Sequence, residues 1–499
     1  MIASQLPALL VVVPLLAALG VPLLAWPWPR AAWPVAVLAT AATALLAVAG
    51  MLRALAGETM RYAAGGWAAP WGIELVLDPL SAFVALVVAG VAAWSVLYGA
   101  GVDDPRTRDR QGVVAALVLL VLAALLGIVV AGDLFNLFVF LEVGAIATYA
   151  LVGVGGGRAL VASFRYVILG SLGASLYLLG VGHLYLATGT LNMADMAARL
   201  PGTEPSRLVP LAVGLVVVGL GIKMGLFPLH GWLPDAYTHA PPAVTALIAP
   251  VATKVAAYAL VRFLFTVLGP AYLLEHTLLG SALTWLGALS ILAGGILAIR
   301  QTDFRKVLAY SSVSQMGYIA LGIGLANPSG VLGAYLHILN HALMKGCLFF
   351  VAGIATLRLG GSALSDLRHM HRRMPVVTLC LVVAALSMVG VPPTGGFFSK
   401  WYVLLGAVEA GRFGLAGIVL AGSLLAVAYM FRIVESACLE PRGEDGHGHD
   451  RDGHAGPRRR EPAAALLASV LALAAAVVAA GVWNAPIVDA LRRAPMAGP

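Results

Sequence analysis

The sequence predicts an all-α integral membrane protein of about fourteen transmembrane helices, arranged as two inverted five-helix repeats that each contain a broken helix. Three observations carry this expectation. Hydrophobic residues make up 61% of the chain and charged residues only 11%, against about 25% charged in soluble domains. Apolar runs of about 20 residues recur without the alternation of a strand, which selects helices over a barrel. Two of the runs are interrupted by proline.

Runs bounded by polar or Gly/Pro breaks place the spans at 2–25, 33–54, 76–99, 112–131, 134–153, 161–187, 209–229, 241–265, 277–298, 305–325, 331–357, 375–408, 414–436 and 462–483. Only Gly132-Asp133 separates the fourth from the fifth. No basic residue precedes the first run, which makes a poor signal peptide, so the first span is expected to be retained. The segments that follow are three N-terminal helices in 1–100, a first repeat in 112–265 and a second in 277–436. A cytoplasmic loop in 437–461 and a last helix with its tail in 462–499 complete the chain.

Loop charge sets the expected orientation, because cytoplasmic loops collect Lys and Arg. Alternate loops carry 19 and 8 basic residues. The richer set includes Arg30, Arg106, Arg158, Arg165, Arg305, Lys306 and Arg372; the poorer includes Arg53, Arg199, Arg262 and Arg412. The split predicts a multi-pass protein of the cell inner membrane with both termini on the non-cytoplasmic side. The net charge of +8 lies in these loops and is not a nucleic-acid signal.

The seventh span contains Lys223-Met224-Gly225-Leu226-Phe227-Pro228, and the twelfth contains Met388-Val389-Gly390-Val391-Pro392-Pro393. A proline removes its own N–H and displaces the carbonyl four residues back. Pro228 is expected to free the carbonyl of Met224, and the proline pair those of Met388 and Val389. Free carbonyls at membrane depth survive only where protein or water satisfies them, so each break implies a polar pocket. The breaks lie five spans apart, an odd number that inverts the second copy. Inverted repeats with matched broken helices are a transporter pattern.

Five lysines occur in the whole chain. Lys223, Lys254, Lys345 and Lys400 sit inside apolar segments, and only Lys306 lies in a connection. A central membrane lysine costs about 2.5–3.5 kcal/mol on insertion scales, so such a row reads as a proton or ion path. Glu142 joins it from the fifth span as a proton carrier or the partner of a buried lysine, with Lys223 as the candidate partner. His337, His341 and Lys345 follow at i, i+4 and i+8, and steps of four drift only about 40° around a helix, so they share one face. Histidine relays protons near neutral pH; two histidines without a carboxylate or thiolate give little support to zinc. Lys400 reads either as one end of the path or as an interfacial lysine beside Trp401. His230, Asp235 and His239 flank the loop after the first break, either as a proton uptake site or as ordinary polar groups.

Cys347, Cys380 and Cys438 are scattered and form no CxxC, which argues against an iron–sulfur or zinc site. The run Gly153–Gly157 lacks the Lys-Ser/Thr of a phosphate loop and reads as a connection. No cofactor or metal is expected in this chain. Its driving energy would come from an ion gradient or a partner. His447, His449 and His454 fall in a Gly/Asp/Arg-rich segment that reads as a flexible loop.

The lysine row, the broken helices and the span count together resemble the antiporter-like subunits shared by Mrp-type cation/proton antiporters and respiratory complex I. Specific stretches are Asp133–Glu142, Lys223–Asp235, Ala249–Arg262, Asp303–Gly317, His337–Lys345 and Gly390–Lys400. The resemblance implies a hydrated proton path through Glu142, Lys223, Lys254 and Lys400, bridged by His337 and His341. Asp133–Phe140 and the lysine at Lys400 are similar to the D-type member of the Mrp antiporters; Pro241-Pro242 is not distinctive of it. The implied function is proton translocation in a multisubunit Na⁺ (or K⁺)/H⁺ antiporter. The alternative is a proton-pumping subunit of a complex I-like oxidoreductase or membrane-bound hydrogenase. Implied partners are other membrane subunits, protons, Na⁺ or K⁺ and the lipid bilayer. No catalytic residue is expected; an oxidoreductase-coupled translocase assignment would apply only in a complex I-like assembly.

Overall fold

The computed structural model describes residues 2–202, 207–275, 277–438 and 461–493. Its membrane helices are Ile2–Ala25, Ala32–Leu55, Pro79–Gly101, Gln111–Val130, Leu134–Gly153 and Arg158–Thr188 as spans one to six. The seventh is divided into Leu208–Met224 and Leu233–His239, and the eighth is Pro242–Val261. Spans nine to eleven are Thr277–Ile299, Phe304–Gly324 and Pro328–Leu359. The twelfth is divided into Pro375–Val389 and Gly395–Glu409; Phe413–Cys438 and Ala464–Val482 complete the set. Among the described residues, eleven helices are long and apolar enough to cross a membrane. The remaining three expected spans are the two divided ones and the tenth, whose Arg305, Lys306, Ser311, Ser312, Ser314 and Gln315 lower its hydropathy.

Burial separates an inner group from a lipid-facing rim. The eighth span is almost wholly enclosed, and the third, fourth and eleventh are largely so. The first two spans leave Leu16, Leu38 and Leu45 exposed. Leucines turned outward from helices this apolar suit lipid. Trp26 and Trp28 are exposed in the first connection, Trp67 and Trp71 in the second. Aromatic residues at both ends of the first helices match the two interfacial belts.

The two halves repeat the same devices. Asp133 caps the fifth helix by accepting the Asn136 N–H at 2.7 Å, and Asp303 caps the tenth by accepting the Lys306 N–H at 2.9 Å. Each aspartate also pairs by backbone with the connection beyond the next helix, Asp133 with Asn192 and Asp303 with Ala363. The long sixth and eleventh helices both end on a left-handed glycine, Gly189 and Gly360. Both breaks begin on one as well, Gly225 and Gly390, a conformation that a side chain disfavours.

Two segments differ from expectation. Val76 and Leu77, expected at the start of the third span, belong instead to the strand Glu74–Leu77, which pairs antiparallel with Met60–Ala63 in a short hairpin. Residues 233–239, expected as a loop, form a helix with Pro234 in its first turn, where a missing N–H costs nothing. The histidine-containing loop 444–460 lies outside the described residues.

The fourteenth span presses on the second break. A Cβ at Gly481 would meet the Pro393 carbonyl oxygen at 1.8 Å. Gly481→Ala is therefore expected to cost about 1–3 kcal/mol through overpacking against backbone. Thermal unfolding in detergent reads this loss; an unchanged midpoint would show that the contact yields freely.

Candidate functional site: a buried row of ionisable side chains

The fifth helix carries Glu142 toward the last turn of the first half of span seven, where Lys223 stands. Lys223 Nζ lies 3.2 Å from Glu142 Oε1. The lysine side chain is 9% exposed and the glutamate 25%. An ammonium in a helix's last turn also faces the negative end of its dipole. Just beyond, the Gly225 N–H donates to Ile222 O at 3.0 Å and the Leu226 N–H to Gly221 O at 3.1 Å, a glycine-terminated helix end. Trp232 Nε1 donates to Ile222 O at 2.8 Å. The expectation that Pro228 frees Met224 thus needs correction, because the helix ends before the proline and the shared carbonyl is that of Ile222. The Phe227 N–H finds Ser290 Oγ at 2.8 Å and ties the break to the ninth span.

Deeper in, Lys254 is 1% exposed. Its Nζ donates to Ala249 O at 2.7 Å and to Thr253 Oγ1 at 3.3 Å. Lys345 Nζ donates to Leu308 O at 2.5 Å and Ser311 Oγ at 2.6 Å. The His337 and His341 rings lie 5.7 Å apart and nearly parallel, as their four-residue spacing requires. Ser399 Oγ donates to Gly396 O at 3.1 Å and lies 2.9 Å from His337 Nδ1. With its proton committed, the serine oxygen accepts from His337 Nδ1–H, which leaves Nε2 as the lone-pair nitrogen. That nitrogen and both of His341 have no hydrogen-bond partner among the described residues. His341 lies within electrostatic reach of Lys254, Lys345 and Lys400 and so stands between the two halves.

Lys400 reaches back to the second break. Its Nζ donates to Met388 O at 2.8 Å, Val389 O at 3.1 Å and Ser423 Oγ at 3.4 Å. It also lies 4.8 Å from the centre of the Tyr318 ring. Met388 and Val389 are the two carbonyls expected from the proline pair. At 5% exposure Lys400 is not an interfacial lysine, although its neighbour Trp401 faces outward. No ion-pair partner is found for Lys254, Lys345 or Lys400 among the described residues. An ammonium held only by neutral oxygens can release its proton without leaving a stranded carboxylate.

The remaining expected residues do not form one cluster. Asp235 makes an ion pair with Arg165 at 2.5 Å. His239 Nδ1 lies 3.0 Å from the Asp235 carbonyl oxygen rather than its carboxylate. His230 stacks on Phe227, with ring centres 5.3 Å apart, and its Nδ1 has no partner among the described residues.

The structure adds groups that the sequence reading did not single out. Arg262, counted with the loops, is buried in a π-helical turn that continues the eighth span. It pairs with the Asp78 carboxylate and donates from Nε to Tyr258 Oη at 2.8 Å. Arg305, also counted with a loop, is buried and donates to the Ala240 carbonyl. These corrections remove one residue from each loop set and leave the charge bias in the same direction. Lys254, Tyr258 and Arg262 follow the four-residue spacing that revealed the histidines, so the same rule would have found them. Arg262→Met would strand the Asp78 carboxylate and is expected to cost about 3–5 kcal/mol. Thermal unfolding of the variant checks this, and a shift no larger than that of a surface substitution would contradict it.

The membrane-domain family of NADH:quinone oxidoreductase and Mrp antiporter subunits matches residues 131–426. Over 435 residues the chain is 47% identical to the N-type subunit of the NADH-quinone oxidoreductase of Desulforudis audaxviator, covering 87% of this chain and 86% of that one. It is 32% identical over 371 residues to the D-type subunit of the Na⁺/H⁺ antiporter of Bacillus subtilis, 74% of each chain. Among solved structures it resembles a chain of the membrane-bound sulfane sulfur reductase, an archaeal respiratory membrane complex. That match has a TM-score of 0.88 and 31% identity, over 98% of this chain and 96% of the other. The protein is a multi-pass integral membrane protein and belongs to the family of antiporter-like membrane subunits of NADH:quinone oxidoreductases and Mrp antiporters.

Proposed function

We propose that this chain translocates protons as one membrane subunit of a multisubunit Na⁺ (or K⁺)/H⁺ antiporter. The Glu142–Lys223 contact, continued inward by three lysines that lack acidic partners among the described residues, carries the reading. While the pair is closed, the carboxylate favours the protonated lysine. When it opens, the ammonium loses that support and its proton passes toward Lys254. Each arrival raises the local positive charge and weakens the hold of the next lysine on its own proton. His337 and His341 offer lone pairs between the halves, and Lys400 receives the charge at the second break.

A proton-pumping role in a complex I-like NADH:quinone oxidoreductase or a membrane-bound hydrogenase is the second reading. The higher identity to the N-type oxidoreductase subunit favours it. Redox centres would then lie in partner chains. Under either reading we assign both termini to the non-cytoplasmic face of the cell inner membrane, and residues 112–265 and 277–436 to the two inverted units.

A mild-detergent pull-down of the native chain, with co-purifying proteins identified by mass spectrometry, separates the readings. Small hydrophobic subunits with a second antiporter-like chain support the antiporter. Partners carrying iron–sulfur, flavin or nickel sites would transfer the assignment to the redox-driven pump.

A further inference from the structure

Tyr149 is a buried side chain for which the proposed path has no use. It stands seven residues after Glu142 on the fifth helix, about two turns along, and so close to the same face. Side chains lean toward the N-terminus of their helix, which tips the Tyr149 ring toward Glu142. The phenol lies within electrostatic reach of that carboxylate. The residue is 6% exposed, yet its hydroxyl has no hydrogen-bond partner among the described residues. Buried hydroxyls are nearly always satisfied, by protein or by an ordered water.

The hydroxyl points into a slot in the sixth helix. A Cβ at Gly170 would lie 1.8 Å from Tyr149 Oη, so only glycine leaves room there. The turns of the sixth helix that precede Gly170 lead to Arg165 and Arg158. Tyr149 meets Tyr166 edge to face at 4.7 Å, and Tyr166 stacks on Trp232 at 3.9 Å. Ser163 Oγ holds the Tyr149 carbonyl at 2.7 Å and fixes the backbone of this turn. At the surface beyond stands the Asp235–Arg165 pair, with Asp235 itself 22% exposed. The titratable groups around Tyr149 are Glu142 with its partner Lys223, and Tyr166, which in turn is within reach of Tyr237. The fourth helix, packed on the other side, carries no charged residue.

We infer that the Tyr149 hydroxyl, seated against Gly170 and completed by an ordered water, is the proton relay that connects Glu142 to the aqueous face bearing Asp235 and Arg165. A hydroxyl that accepts a hydrogen bond from the surface side while donating toward Glu142 can pass a proton without ionising. The proton entering on one lone pair replaces the one released to the carboxylate, so Tyr149 ends unchanged and Glu142 neutral. The relay rests on the proton-translocation reading given above and adds to it the route by which Glu142 is reloaded.

The test uses the intact native assembly in proteoliposomes, with proton flux recorded while pH is varied on one side at a time. Tyr149→Phe removes only the oxygen. Its flux is expected to fall roughly tenfold or more, and the deficit should widen as pH rises on the Asp235–Arg165 side alone, where protons become scarce. A merely structural role would give a deficit independent of pH and of side, and that result overturns the relay, as does wild-type flux in Tyr149→Phe. Glu142→Gln and Lys223→Ala serve as references. If both abolish flux while Tyr149→Phe is silent, the relay fails and proton translocation stands; if neither reduces flux, the translocation reading itself fails.

Discussion

Lys223→Ala is expected to abolish ion-coupled proton movement while the protein still inserts and assembles. The substitution removes an intramembrane ammonium and so eases insertion by about 2.5–3.5 kcal/mol. It leaves the Glu142 carboxylate without its 3.2 Å partner. No ammonium then remains to exchange a proton with the carboxylate, and the first step of charge transfer disappears. Flux should fall by at least about 10²-fold, the lower end of what a positioned acid–base group supplies. Lys223→Arg separates proton exchange from simple pairing. A guanidinium keeps the charge and satisfies the carboxylate but does not give up its proton in a protein. The arginine variant should therefore assemble normally and conduct no better than alanine. Proton flux in proteoliposomes reads both variants. Full activity in the alanine variant would remove Lys223 from the path, and activity in the arginine variant would reduce its role to fixed charge.

Lys400→Met is expected to lower stability as well as flux. Lys400 Nζ is a donor to two carbonyls that the proline pair leaves free, those of Met388 and Val389. A buried acceptor left unmet costs about 1–3 kcal/mol. Methionine fills much of the same volume, so the loss reflects the missing donor rather than a cavity. Hydrogen exchange should rise locally in 390–400, and the thermal midpoint in detergent should drop. Unchanged exchange in that segment would mean that other donors close the break.

Much of the fold was legible because lipid acts on composition directly. A segment that must hide its backbone in hydrocarbon has to be long, apolar and helical, and each of the fourteen runs read from the sequence has its membrane helix, the seventh and twelfth divided in two. The breaks were equally legible, since proline states its own effect. Their details were not. Gly225 ends the seventh span before Pro228 acts, and Trp232, ten residues after Ile222, turns back to take that carbonyl. Nothing local announces such a return.

The lysines and Glu142 stood out through their rarity in apolar surroundings, but which of them touch is a tertiary matter. The contact between Glu142 and Lys223 spans 81 residues of chain. The interfacial alternative for Lys400 fails on the direction of its side chain, back toward the break and away from the surface that Trp401 faces. Arg262 was misread because a basic residue at the end of an apolar run looks like a loop anchor. Its partner Asp78 lies 184 residues away, so only the helical spacing from Lys254 could have placed it inside. Tyr149 carried no signal at all, because a tyrosine in a membrane helix is ordinary until its hydroxyl is found unpaired beside a glycine.

The central claim is that Glu142 gains and loses a proton as Lys223 releases and recovers its own. Infrared difference spectroscopy of the native assembly, comparing resting and turnover conditions, observes that proton. A protonated-carboxyl band should appear during turnover in the wild type and be missing in Glu142→Gln. In Lys223→Ala the band should no longer respond to turnover. A glutamate that stays ionised throughout turnover, with flux intact, would contradict the claim and leave the Glu142–Lys223 pair a fixed structural contact.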